Sequence, residues 1–187
     1  MKFWSIPNAL TYFRLILIPV FVVTFYLPIE GKWWITGAVF LVAAVTDWLD
    51  GFLARYLKQS SAFGAFLDPV ADKLMVGAAL VLLVSEYPVW WVAIAGVVIV
   101  SREIVISALR EWMAELGKRA TVKVSMIGKL KTAAQMLSLL ILLSQPVGYT
   151  RVVEIGFVLM YCAVVLTLWS MMYYLLAAWK VLSVMSE

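Results

Sequence analysis

Long apolar stretches, interrupted at intervals by short polar or turn-forming groups, make up nearly the whole chain. A helix needs about 20 mainly apolar residues to cross a bilayer. Six stretches meet or approach that length: Leu10–Leu27, Trp33–Leu57, Phe63–Val84, Val89–Leu109, Lys131–Leu143 and Val152–Val181. The fifth is short and is expected to borrow residues upstream, from Ser125. Between the stretches stand Pro28 with Gly31, Ser60-Ser61, Tyr87-Pro88, and Pro146 with Gly148, residues that break helices or make turns. The pattern predicts an all-α integral membrane protein of six transmembrane helices, with a short N-terminal segment at the interface.

Composition agrees with this reading. Of 187 residues, 65% are apolar and 14% charged, where a soluble domain would carry about a quarter charged residues. The length suits a single domain covering residues 1–187, and no linker or low-complexity segment divides it. The N-terminus, MKFWSIPNALTYFR, lacks the pattern of a cleavable signal, so the first helix is expected to stay in the mature protein. The lone cysteine, Cys162, permits no disulfide within the chain and no cysteine-based zinc site, and is expected to be a buried, inert thiol. Histidine is absent. Any general base must therefore be a carboxylate, a lysine, a tyrosine or water.

Charge gives the expected orientation, because lysine and arginine accumulate in cytoplasmic loops. With the N-terminus in the cytoplasm, six spans return the C-terminus there. Lys2, Arg14, Arg55, Lys58, Lys73, Arg102, Arg110, Lys118, Arg119, Lys123, Lys129, Lys131 and Lys180 then fall on the cytoplasmic side, and only Lys32 and Arg151 opposite. This asymmetry accounts for the net charge of +4 without a nucleic-acid partner. Trp33-Trp34 and Trp90-Trp91 fall at outer span ends, where interfacial tryptophans belong.

One segment breaks the apolar pattern with chemistry: DWLDGFLARYLKQSSAFGAFLDPVAD, positions 47–72. Asp47 and Asp50 are three apart and Asp68 and Asp72 four apart, so on helices each pair faces one way. Carboxylates near membrane depth are costly and mark function. Gathered together they repel unless cations neutralise them, and two divalent ions would balance four. Oxygen ligands favour Mg²⁺ or Mn²⁺ over zinc. The short connection around Lys58–Ser61 makes the second and third spans antiparallel neighbours, which brings the four aspartates together at a cytoplasm-facing site. Gly51, Ala54 and Gly64 lie on the same faces and permit close approach of a helix or planar ligand. Pro69 is expected in a first helical turn, and Arg55 can bind phosphate oxygens. Metals, small residues and arginine together suggest a ligand bearing a diphosphate.

The pattern D-x2-D-G-x2-A-R-x8-G-x3-D-x3-D, met at Asp47, Asp50, Gly51, Ala54, Arg55, Gly64, Asp68 and Asp72, resembles the signature of the CDP-alcohol phosphotransferases. Pro7-Asn8-Ala9-Leu10-Thr11 with Arg14 is similar to that family's N-terminal segment, and Ser101–Met136 to its bacterial branch that uses glycerol 3-phosphate. The resemblance covers essentially the whole chain. It implies six membrane helices around a polar cavity open to the cytoplasm, a homodimer, and a place in the bacterial inner membrane. It implies two Mg²⁺ or Mn²⁺ ions on Asp47, Asp50, Asp68 and Asp72, with Asp72 as catalytic base. CDP-diacylglycerol would lie against Gly51, Ala54 and Gly64, assisted by Asn8, Thr11, Arg55 and Ser61. Glycerol 3-phosphate would be the acceptor, its phosphate met by some of Arg110, Lys118, Lys123, Lys129 and Lys131. Two readings of those cations stay open, since cytoplasmic loops are basic from orientation alone and anionic lipids attract them. Adjacent Arg102 and Glu103 suit an ion pair or a bundle contact as well as a substrate role. Two functional alternatives are the same chemistry on serine, inositol phosphate or phosphatidylglycerol, and a divalent-cation or proton transporter.

Overall fold

The computed structural model describes residues 6–57, 62–117, 126–145 and 150–185, and every regular element among them is an α-helix. In chain order these are α1 (Ile6–Tyr26), α2 (Lys32–Tyr56), α3 (Ala62–Glu86), α4 (Trp90–Glu115), α5 (Met126–Leu143) and α6 (Arg151–Met185). Each of the six expected stretches becomes one helix. The fifth gains its missing turn upstream, from Met126. Asn8–Thr11 belong to the opening turns of α1, continuous with the first apolar stretch.

Glycine sets two of the boundaries. Gly31 precedes α2 with φ 78°, and Gly117 follows α4 with φ 72°, a left-handed backbone that costs glycine least. The Gly117 N–H donates to the Ala114 carbonyl at 3.1 Å and closes the end of α4. Pro69 departs from expectation, because α3 starts at Ala62 and holds the proline in its interior. Proline there removes a backbone donor, which helices at membrane depth tolerate when neighbouring groups satisfy the freed carbonyl.

Among the described residues, four helices contain windows long and apolar enough to cross a bilayer: Asn8–Tyr26, Lys32–Leu53, Trp90–Glu115 and Arg151–Trp179. This is the make-up of a multi-pass membrane protein. The first half of α3 carries Asp68, Asp72 and Lys73, and the 18-residue α5 carries Lys129 and Lys131.

The chain divides into two compact units. The first comprises Met1–Tyr87 with Leu139–Val153. Here α1 packs along α2 and also against α3, while α2 and α3 meet each other over a small area. The buried stripe of α1 reads Asn8, Thr11, Arg14, Leu17, Phe21 and Phe25, a spacing of three to four residues that keeps one face inward. It starts polar and ends apolar. In α2 the order reverses: Thr36, Phe40 and Ala43 lead to Thr46 and Asp50. Phe21 and Phe40 pack with ring centroids 5.8 Å apart. Gly37 of α2 lets Ser144 approach, since a Cβ there would collide with the Ser144 hydroxyl and lie 2.8 Å from its Cβ.

The second unit comprises Pro88–Ser138 with Glu154–Glu187. Its buried cluster joins Ile106 and Met113 of α4 to Tyr174 and Ala178 of α6, with Leu109, Leu116 and Met171 packed around them. The Tyr161 hydroxyl donates to the Trp91 carbonyl at 3.0 Å, and Trp91 meets Phe157 edge-on at 4.7 Å. Leu130 and Ala134 of α5 and a run of α6 around Phe157, Tyr161 and Cys162 line an apolar groove. Cys162 is exposed there and not buried as expected, because it lies off the inward face marked by Met160, Ala163 and Val164.

Candidate active site

The four aspartates do converge, and α1 is what they converge on. Thr11 and Arg14, three residues apart, present their side chains on one face of α1. Arg14 Nη1 lies 2.8 Å from Asp47 Oδ1 and 2.7 Å from Asp72 Oδ1, and its Nη2 pairs with Asp50 Oδ2. The Thr11 hydroxyl donates to Asp68 Oδ1 at 2.6 Å and lies 3.4 Å from Asp50 Oδ2. The two side chains of α1 thus gather two carboxylates from α2 and two from α3.

Exposure divides the quartet. Asp50 is 3% exposed, while Asp47 and Asp72 are 46% and 48% exposed. Arg14 is 1% exposed. The charged centre is therefore closed on the α1 side and open along the edge formed by Asp47 and Asp72. Among the described residues, no three acidic side chains are arranged to hold one ion as they stand. The carboxylates are instead drawn onto a guanidinium and a hydroxyl. The second and third helices do meet, and the first adds the side chains on which their carboxylates gather.

The remaining expected positions fall as follows. Asn8 is buried on the Thr11–Arg14 face. Gly51 is half-buried and Gly64 buried. Ala54 and Arg55 belong to α2, but their side chains lie outside the described residues, as do Ser61, Lys118 and Lys123. Of the basic residues expected to meet a phosphate, Lys129 is exposed, and the exposed Arg110 places its guanidinium 5.4 Å from the Tyr174 ring centre. Lys131 is different: it is 3% exposed and paired with Glu103. The same Glu103 oxygen lies 3.2 Å from Arg102 Nη1, and Arg102 Nη2 donates to Ser170 Oγ at 3.1 Å. Arg102 Nε and Gln135 Oε1, one turn beyond Lys131, are buried without hydrogen-bond partners. Adjacent Arg102 and Glu103 thus form an ion pair, to which Lys131 adds a second cation.

Arg14 is the side chain at this centre that sequence reasoning undervalued. A signal was available, because an arginine inside an apolar span needs an acidic partner. Arg14 follows Thr11 and Asn8 on one helical face, so the aspartates were the obvious candidates.

A buried guanidinium ringed by carboxylates, within long apolar helices, defines a multi-pass membrane protein with a charge-dense centre. The chain belongs to the CDP-alcohol phosphatidyltransferase family, whose profile matches residues 4–169. Among curated relatives, a Haemophilus influenzae protein is 57% identical over 178 residues, 95% of each chain. One from Yersinia enterocolitica is 56% identical over 94% of this chain and 96% of its own, and one from Escherichia coli K12 is 55% identical over 94% and 95%. All three bear the name CDP-diacylglycerol–glycerol-3-phosphate 3-phosphatidyltransferase.

Proposed function

We propose that this protein transfers the phosphatidyl group of CDP-diacylglycerol to glycerol 3-phosphate, giving phosphatidylglycerophosphate and CMP. The observation that carries the reading is the convergence of all four signature aspartates on Thr11 and Arg14. It is joined to relatives of that name at 55–57% identity along almost their whole length.

The hydroxyl oxygen of glycerol 3-phosphate bonds to the phosphorus next to the lipid, and the bond from that phosphorus to the CMP oxygen breaks. Asp72, on the open edge of the site, takes the hydroxyl proton, the only basic function the reaction requires. Asp47, Asp50, Asp68 and Asp72 would hold two divalent cations, Mg²⁺ or Mn²⁺. Their all-oxygen, fully anionic donor set fits such hard ions. Bound there, the ions would neutralise charge on the diphosphate and on departing CMP. Gly51 and Gly64 leave room for the cytidine part, and Arg55 suits the diphosphate. Thr11 fixes the direction of Asp68, and Asn8 lines the same face.

Lys131 and Arg102 share one carboxylate, so their cluster keeps a buried surplus of positive charge. A phosphate monoester complements such a surplus, and the acceptor's phosphate supplies one. Among the expected basic residues, Lys131 is thereby favoured over Arg110 and Lys129. The family match runs through both compact units, which supports one catalytic domain. Lysine and arginine asymmetry supports six spans with the site and both termini in the cytoplasm, and the inner membrane is carried over from the family resemblance. Homodimerisation is carried over from the family resemblance alone.

The test is CMP release by purified protein given CDP-diacylglycerol and a panel of acceptors: glycerol 3-phosphate, serine, inositol phosphate and phosphatidylglycerol. Glycerol 3-phosphate is expected to be strongly preferred. Chelation should abolish turnover, and added Mg²⁺ or Mn²⁺ should restore it. A different preferred alcohol would refute the acceptor, and full turnover in chelator would refute the metal role.

A further inference from the structure

Arg14 stands where four gathered carboxylates call for positive charge. One guanidinium engages Asp47, Asp50 and Asp72 together. An arginine that merely anchored α1 to a neighbour would need one carboxylate, on one helix; Arg14 draws on three, from two helices. Its charge is permanent, so deprotonation of the guanidinium cannot free those oxygens, whereas a competing cation can. Its Nε is buried with no hydrogen-bond partner, which makes the arrangement costlier than a fully satisfied pair. The guanidinium is thus held by charge more than by fit.

We propose that Arg14 is an internal cation that competes with divalent metal ions for the same oxygens of Asp47, Asp50 and Asp72, and yields them when the ions bind. The proposal rests on the reading that the aspartates take divalent ions. Until they do, Arg14 limits the repulsion that would otherwise push α2 and α3 apart. Once they do, two divalent charges neutralise four carboxylates, and the arginine's charge becomes surplus at the aspartates. The anion that the reaction then brings is the donor's diphosphate, which a guanidinium suits. Arg14 is a positioning residue in this account, since it acts through the aspartates.

The experiment compares purified wild type, Arg14→Gln and Arg14→Lys. Mn²⁺ binding is followed by the electron-spin-resonance signal of the free ion, and Tm is measured in chelator and in saturating Mn²⁺. Removing the competing charge is expected to tighten Mn²⁺ binding in Arg14→Gln by about tenfold or more. Its Tm in chelator should fall, its Tm gain on adding Mn²⁺ should exceed that of wild type, and Arg14→Lys should lie between. If Arg14→Gln is unfolded in chelator, recovery of its fold by Mn²⁺ alone reads the same exchange. If it is unfolded at every Mn²⁺ concentration, Arg14→Lys decides: tighter binding than wild type supports the proposal, and equal or weaker binding overturns it. Wild-type binding with equal or weaker affinity in a folded Arg14→Gln overturns the Arg14 proposal alone. No Mn²⁺ binding by any of the three overturns it together with the metal reading beneath it.

Discussion

Asp50 and Asp72 are paired to the same arginine, yet the first is buried and the second half-exposed. That difference is consistent with Asp72, and not Asp50, as the proposed base. A carboxylate closed off beneath α1 can hold charge but cannot meet an incoming alcohol, whereas Asp72 is open to one. Asp72→Asn keeps the shape of the side chain and removes its basicity, so kcat is expected to fall by about 10²- to 10⁴-fold. The CMP-release assay reads this, and a loss below about tenfold would move the base elsewhere. The Lys131 cluster yields a different signature. Lys131→Met keeps the length of a side chain that is almost wholly buried but removes its charge. The KM for glycerol 3-phosphate is expected to rise at least tenfold, as about 1.5–3 kcal/mol of charge-assisted hydrogen bonding is lost, with the KM for CDP-diacylglycerol little changed. Equal rises for both substrates would make Lys131 a structural partner of Glu103 only.

At the scale of the helix, much was legible because length, hydropathy and turn residues are local signals. All six elements came from them, and the aspartate pairs from helical spacing. What escaped depended on partners far away in sequence. Arg14 could be placed on a face, but its three carboxylates belong to other helices. Lys131 could be placed among the cations suited to a phosphate, but not its pairing with Glu103, 28 positions earlier. Pro69 was misplaced because the helical pattern of α3 reaches back past it to Ala62. Cys162 was taken as buried from the apolarity of its surroundings, which in a membrane protein does not separate core from lipid-facing surface. The contact at Gly37 was equally invisible in the sequence, and it carries an element-scale prediction. Adding a methyl group in Gly37→Ala forces α2 against Ser144, whose Cα would lie 3.2 Å from the new carbon. Overpacking of this kind costs about 1–3 kcal/mol, against about 1 kcal/mol gained from helix propensity. Thermal unfolding in detergent should show a lower Tm, largely recovered by adding Ser144→Gly, which removes the colliding atoms. A single variant as stable as wild type would mean that the two segments separate freely.

At the scale of the molecule, the open quantity is how many helices cross. Among the described residues, four pass on length and apolarity alone, and α3 and α5 carry charges that the proposed chemistry would use. Both counts are even, so the two termini share one side either way and cannot discriminate. The ends of α4 can. With six crossings, α4 starts outside and ends in the cytoplasm; if α3 and α5 did not cross, it would start inside and end outside. The second arrangement would put Arg110, Lys118, Arg119, Lys123 and Lys129 on the outer side, against the tendency that holds lysine and arginine in the cytoplasm. It would also place the end of α4 bearing Arg102 and Lys131's partner Glu103 toward the outer side, although glycerol 3-phosphate is a charged cytoplasmic metabolite. Six crossings are therefore the expected count. In a Cys162→Ser background, Ser85→Cys and Glu115→Cys provide exposed probes on either side of α4. A membrane-impermeant maleimide should label the first in spheroplasts and the second only in inverted vesicles. The reverse pattern would establish the four-crossing arrangement, in which an acceptor site built on Arg102 and Lys131 would be cut off from its cytoplasmic substrate.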